Sequence, residues 1–232
     1  MANIVNVVLG FTRQRRALGA FLGSAMVAVF AMSAAGPSVA ERRDGPAEVS
    51  TEELMKPGEL SEIALGRADA KVTVVEYASM TCGHCAHFAN DVFANFKTKF
   101  IDSGKVRYIF REFPLDNLAA AASMLARCAG GDKTFPLIET FYAKQADWAF
   151  TQSNPVPKLF DIAKQAGFTQ ESFDKCLTDQ KLLDQLTAIK NRASETFGVG
   201  STPTFFINGK RLQDAPSLEA FDKVIEPLLA AK

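Results

Sequence analysis

The chain reads as an α/β protein, a mixed sheet flanked by helices with an all-helical block inserted in the middle. Three observations predict this. Val72-Thr73-Val74-Val75-Glu76-Tyr77-Ala78 is β-branched and mostly apolar, as a buried strand requires. A helical pattern over 86–101 follows it, and then a second strand-like run over 106–113, stopped by Pro114. Strand, helix and strand at this spacing form a βαβ unit, hence parallel pairing and a right-handed crossover. Finally, residues 116–197 carry no strand signal, whereas Thr202-Pro203-Thr204-Phe205-Phe206-Ile207 returns to strand character.

Taken in order, residues 1–40 read as a bacterial-style secretory signal. Arg13, Arg15 and Arg16 give it a positive start, residues 17–40 are uncharged, and Ser38-Val39-Ala40 offers small residues where a signal peptidase reads. The alternative is an uncleaved anchor facing the periplasm, since roughly 20 apolar residues span a bilayer. Frequent Gly and Ser and the closing cleavage site favour cleavage after Ala40. Gln14-Arg15-Arg16 matches a twin-arginine signal only weakly. Residues 41–59 are charged and contain Pro46, Pro57 and Gly58, so they read as a flexible, solvated lead-in.

The first part of the sheet domain covers 60–115 and opens with a short edge strand over 60–65. Its helix aligns Phe88, Val92, Phe93, Phe96 and Phe100 on one face. The helical insertion, 116–197, holds helices over 117–128, 134–148, 155–166, 170–177 and 181–197. Pro155 and Pro157 suit a first turn. Residues 198–232 complete the sheet domain. There Asn208-Gly209 is a strong hairpin signal, 210–212 is its return strand, and Ser217 caps a last helix whose apolar face is Leu218, Phe221, Val224, Ile225 and Leu228.

Composition narrows the function. The three arginines are the only charges in residues 1–40, so the remainder carries 23 basic and 26 acidic residues, net −3. No basic run interleaves with aromatics, which excludes nucleic acid as a partner. The 192 residues beyond Ala40 suit one domain with an insertion, and nineteen Phe supply its core.

Chemistry concentrates at Cys82-Gly83-His84-Cys85. The pair sits where a strand hands over to a helix, so the positive end of the helix stabilises a thiolate. A stabilised thiolate leaves easily, and its disulfide is a good oxidant. The alternative is a metal-binding module built on Cys82, Cys85 and His87. Cys128 and Cys176 lie far apart and offer no second C-x-x-C, whereas closed zinc sites use four well-spaced ligands. Four cysteines in an exported chain allow two disulfides. Thr202-Pro203 opens a late strand; with C-x-x-C upstream and a hairpin and helix downstream, a cis bond is favoured over an ordinary strand-start proline.

Glu76, Cys82-Gly83-His84-Cys85, Thr202-Pro203-Thr204-Phe205 and the helical insertion between them, in this order within 60–232, resemble the DsbA-like branch of the thioredoxin superfamily. Alphaproteobacterial members with a second cysteine pair are especially similar. The resemblance implies a thioredoxin fold and an exported, periplasmic thiol–disulfide oxidoreductase. Cys82 then resembles the exposed nucleophile, Cys85 the buried resolving cysteine, and His84 a donor to the Cys82 thiolate. Glu76 resembles the buried acid that relays the Cys85 proton, its pKa raised by burial, rather than a carboxylate on an exposed strand end. Pro203 resembles the loop facing the disulfide, and the Thr202 backbone pairs with an extended substrate. Cys128 and Cys176 become a second disulfide joining two helices of the insertion, in place of two buried free thiols. A loop of this length gives about 4 kcal/mol of chain-entropy stabilisation as an upper estimate.

The same resemblance implies unfolded, cysteine-containing protein substrates, a DsbB-type membrane reoxidant, a monomer, and neither prosthetic group nor metal. Two positions depart from the best-studied oxidases: Gly83 stands where they have Pro, and Thr202 where they have Val. Gly-His is the pair of eukaryotic protein disulfide isomerase, whose potential of about −180 mV lies roughly 60 mV below that of DsbA at about −120 mV, or about 2.8 kcal/mol for two electrons. A milder oxidant is therefore expected. A periplasmic disulfide isomerase or reductase is the other enzymatic reading. Its DsbC and DsbG examples place a dimerisation domain ahead of the fold, for which the twenty or so residues after Ala40 are too few.

Overall fold

A computed structural model describes residues 45–231 of the chain; the secretory signal expected at 1–40 lies outside the described residues. Its elements run α1 (Thr51–Met55), β1 (Ile63–Leu65), β2 (Val72–Ala78), α2 (83–101) and β3 (Val106–Glu112). The helices α3 (Asn117–Ala129), α4 (Thr134–Ala143), α5 (Gln145–Trp148), α6 (Val156–Gln165), α7 (Gln170–Leu177) and α8 (Gln180–Phe197) follow. The chain then returns to the sheet with β4 (Thr204–Ile207) and β5 (Lys210–Arg211) and ends in α9 (Leu218–Ala230). This is the thioredoxin fold, a mixed sheet flanked by helices, with α3–α8 inserted between β3 and β4.

Among the described residues the strands lie in the order β1-β3-β2-β4-β5. β2 and β3 are parallel, and the other neighbours are antiparallel. The central pair is covered on both faces, so both strands are buried along nearly their whole length, although β3 carries Arg107, Arg111 and Glu112. Register divides the core in two. Val74 lies opposite Tyr108 and Glu76 opposite Phe110, so Val72, Val74, Ala78, Tyr108 and Phe110 face α2, α9 and the insertion. Val75, Tyr77 and Ile109 face the other way, onto Phe197, Val199, Phe206 and Leu54.

α2 begins at Gly83, earlier than the expected 86, and is not a uniform α-helix. Two π turns, Phe88–Val92 and Lys97–Ile101, interrupt it. The Phe93 N–H reaches back five residues to the Phe88 carbonyl. Five-residue steps keep Phe88 and Phe93, and likewise Phe96 and Ile101, in one buried cluster; regular α turns would rotate the second of each pair away. Ring centroids stand 4.7 Å apart for Phe88 and Phe205, 4.7 Å for Phe96 and Phe221, and 5.1 Å for Phe93 and Tyr108. These contacts fix the cysteine helix on the sheet.

The insertion is fastened at two points. Arg127 of α3 makes a bidentate pair with Glu112 of β3, at 2.5 and 2.8 Å, and both side chains are buried. Cys128 of α3 and Cys176 of α7 are bonded, with Cα atoms 6.1 Å apart. The helix expected over 134–148 breaks at Lys144 (φ −106°, ψ 15°), so α5 starts afresh and turns Gln145 inward. The expected cap is present at Ser217, and α3 is capped by Asp116, whose side chain accepts from the Ala119 N–H.

The segment 41–59 is not a solvated lead-in over its described part. The Val49 N–H donates to the Gly209 carbonyl at 2.9 Å, the backbone of Glu48 pairs with that of Lys210 as an isolated antiparallel β-bridge, and Ser50 caps α1. Leu54 is buried in the cluster behind Val75 and Tyr77. That face of the sheet would otherwise be open there, and one buried leucine stabilises the docked segment by about 1.5–3 kcal/mol. Gly209 (φ 85°) lies so close beneath this segment that a Cβ would meet the Val49 oxygen at 2.4 Å.

Candidate active site

The β2–α2 junction presents the sulfurs. Cys82 is extended (φ −82°, ψ 121°) and caps α2. Its N–H donates to the Ser79 carbonyl and its own carbonyl accepts from Ala86. Cys85, one turn into the helix, is fully buried, whereas Cys82 is 9% exposed. Both are free thiols here.

The two sulfurs titrate in opposite directions. The Cys85 thiol donates to Cys82, and this is the largest influence pulling the Cys82 pKa down to about 5. Partial burial opposes it; the Thr202 side chain and the backbone N–H groups of Cys85 and His84 add to it. As a thiol, Cys82 donates to the Thr202 carbonyl at 3.2 Å, and Thr202 Oγ1, itself buried, then has no hydrogen-bond partner. A thiolate provides that hydroxyl with an acceptor. Burial pushes the Cys85 pKa well above its ordinary value, and the bond to Cys82 and the nearby Glu76 carboxyl push it further.

Glu76 lies under the pair and is 2% exposed. Burial raises its pKa to about 8, against the lowering effect of a short hydrogen bond donated by the Tyr108 hydroxyl. The Thr202–Pro203 bond is cis. The carbonyl of Thr202 faces Cys82 from the end of β4, so the two loops meet across the sulfur.

His84 is placed differently from the expectation. Its side chain is exposed, and what reaches the Cys82 sulfur is its backbone N–H rather than its imidazole. His87 is also exposed, with Nδ1 2.6 Å from Asp91 Oδ2 on the next turn. Among the described residues no three His, Cys, Asp or Glu side chains gather as a metal site needs. Cys128 and Cys176 belong to the insertion and form their own bond.

Three residues of the site escaped the sequence reading. Gln145 is buried, and its amide donates to the carbonyls of Met80 at 2.8 Å and Cys82 at 3.0 Å, holding the cysteine loop from the insertion side. The Tyr142 hydroxyl donates to the Ser79 carbonyl at 3.2 Å, and burial, with the neighbouring Cys85, pushes its own pKa well up. Tyr108 carries the bond to Glu76. Only Tyr108 left a usable signal. Parallel pairing of the two strands puts Val74 opposite it, and Glu76, two residues on, shares that face.

Comparison with known proteins agrees with this geometry. The family described as Thioredoxin matches residues 59–227. A relative in Rickettsia bellii, provisionally named a protein-disulfide oxidoreductase, is 36% identical over 194 residues, 82% of this chain and 74% of the relative. A counterpart in Rickettsia prowazekii is 33% identical over 73% of this chain, which spans 62% of that protein's length. The crystal structure of alpha-DsbA1 from Wolbachia pipientis superposes with a TM-score of 0.71 at 32% identity, covering 78% of this chain and 96% of that one. The chain belongs to the thioredoxin superfamily, in its DsbA-like branch, and is a disulfide oxidoreductase.

Proposed function

We propose that the protein is exported and introduces disulfides into secreted proteins by dithiol–disulfide exchange through Cys82 and Cys85. The observation that carries this reading is the opposed titration of the two sulfurs, Cys82 held near 5 and Cys85 pushed well up. A client thiolate attacks Cys82 Sγ, the Cys82–Cys85 bond breaks, and its electron pair goes to Cys85 Sγ. Glu76, still protonated near neutrality, supplies the proton Cys85 takes up. A second client thiol gives up its proton and attacks the client sulfur of the mixed disulfide. Cys82 leaves as a thiolate, and a good leaving group makes that release fast. The extended backbone at Thr202 beside Pro203 pairs with the client chain while the mixed disulfide lasts. A DsbB-type membrane protein takes the two electrons and restores the bond. The protein works as a monomer in the periplasm; among the described residues no helix is long and apolar enough to cross a membrane.

The test is a single turnover. One equivalent of oxidised protein is mixed with an unfolded, reduced protein bearing two cysteines, and free thiols are counted. Both client thiols disappear with the parent; Cys82→Ser leaves them free. Persistence of the client thiols with the parent would end the oxidase reading. Gly83 and Thr202 set the strength of the oxidant, so a potential nearer about −180 mV than about −120 mV is expected against glutathione.

A further inference from the structure

A carboxyl buried as deeply as Glu76 can cycle only if its proton has a way out. β2, β3, α2 and α4 enclose a cavity of about 10 Å³, room for about one water molecule. Its polar lining is Glu76, Tyr108, Tyr142 and Glu139, and Phe93 and Phe135 form its apolar walls. Glu76, Tyr108 and Tyr142 are buried, whereas Glu139 is exposed. One small cavity therefore touches the buried acid at one end and a solvent-facing carboxylate at the other.

We propose that Glu139 is the outer proton carrier of the Cys82–Cys85 couple, exchanging protons between solvent and Glu76 through one water held in this cavity. The proposal rests on the exchange mechanism above and adds the group that recharges Glu76. When the disulfide opens, Cys85 Sγ takes the electron pair of the broken bond and the Glu76 proton. The Glu76 carboxylate is then buried against the neutral Tyr108 phenol, an unfavourable place for a charge. The water passes it a proton and takes one from Glu139, which is reprotonated from solvent. Reoxidation runs the same steps backwards.

The groups facing Glu139 are Lys97 from α2, Tyr142 from its own helix, and Glu76 and Tyr108 from the sheet. Lys97 is engaged by Asp102 at 2.6 Å. Partial desolvation of its carboxyl raises the Glu139 pKa and Lys97 opposes the rise, which moves the carrier toward neutrality, where a proton relay is most effective.

The test follows the opening of the Cys82–Cys85 disulfide by excess dithiothreitol in dilute buffer near pH 7. This reductant needs no client recognition, so the relay and the oxidase reading succeed or fail separately. Glu139→Gln is expected to slow the opening about tenfold, less than the loss of a direct general acid would cause. Glu139→Asp should keep most of the parent rate, and added imidazole should restore Glu139→Gln by carrying protons to the cavity mouth. An unchanged rate in Glu139→Gln overturns the relay. So does a slow Glu139→Gln that imidazole fails to rescue, because the effect would then be electrostatic or structural.

Discussion

Cys82 and Cys85 are chemically identical side chains three residues apart, and their surroundings alone set them against each other. One lies at the open mouth of a helix with donors converging on it; the other lies beneath it, in apolar contact and next to a carboxyl. Thiolate absorbance of the reduced protein should titrate near pH 5. Thr202→Val removes a hydroxyl donor and should move that titration upward, whereas His84→Ala keeps the backbone N–H and should move it less. The linkage signs differ between groups. Cys82 has a folded pKa below its unfolded value of 9.0, so the reduced protein gains stability that is complete above pH 9 and fades as pH falls through about 5. Glu76 is the reverse: its folded pKa of about 8 exceeds its unfolded value of 4.5, so its contribution is complete below pH 4.5 and is lost as pH rises through 8. Glu76→Gln should therefore stabilise the fold by about 3–5 kcal/mol at pH 8 and by almost nothing at pH 4. Equal urea midpoints for variant and parent at pH 8 would show that the carboxyl is not held neutral.

At the scale of elements, the insertion is functional because it is held in register with the sheet. α4 and α5 deliver Tyr142 and Gln145 to the cysteine loop, and α3 is tied to β3 by the buried Arg127–Glu112 pair. Removing one member leaves an unpaired buried charge, so Arg127→Leu should cost about 3–5 kcal/mol, while Arg127→Leu with Glu112→Leu should recover most of that loss. Denaturant melts of both variants decide it; a double variant no better than the single would mean that packing, not charge, sets the cost. Cys128→Ser with Cys176→Ser frees a long loop between α3 and α7 and should lower stability by up to about 4 kcal/mol. Client oxidation should survive, because neither sulfur touches Cys82 or Cys85.

At the scale of the whole molecule, what could be read in the sequence was whatever local chemistry decides. The βαβ unit, the Asn208-Gly209 hairpin and the cap at Ser217 each rest on a few adjacent residues. The site beyond its cysteines was not legible in that way. Gln145 serves the loop only because α4 breaks at Lys144, Glu139 meets Glu76 only across four elements, and residues 45–59 are ordered by the sheet face at Val75 and Tyr77 together with the distant hairpin at Gly209. Those are tertiary decisions, and they imply cooperativity. A single apolar cluster runs from Val74 and Phe110 of the sheet through Phe88 and Phe96 of α2 to Phe141, Trp148 and Phe173 of the insertion. No boundary in that cluster lets the insertion melt while the sheet persists. Trp148, the chain's one tryptophan, is fully buried in the insertion, with its indole N–H donating to the Phe141 carbonyl. Its fluorescence should therefore follow the insertion, while circular dichroism averages over every element. In urea the oxidised protein should give the same midpoint by both signals, as two-state unfolding requires. A fluorescence transition at lower urea than the dichroism would mean that the helical block unfolds on its own, and that the cysteine loop loses the support of Gln145 and Tyr142 while the sheet still stands.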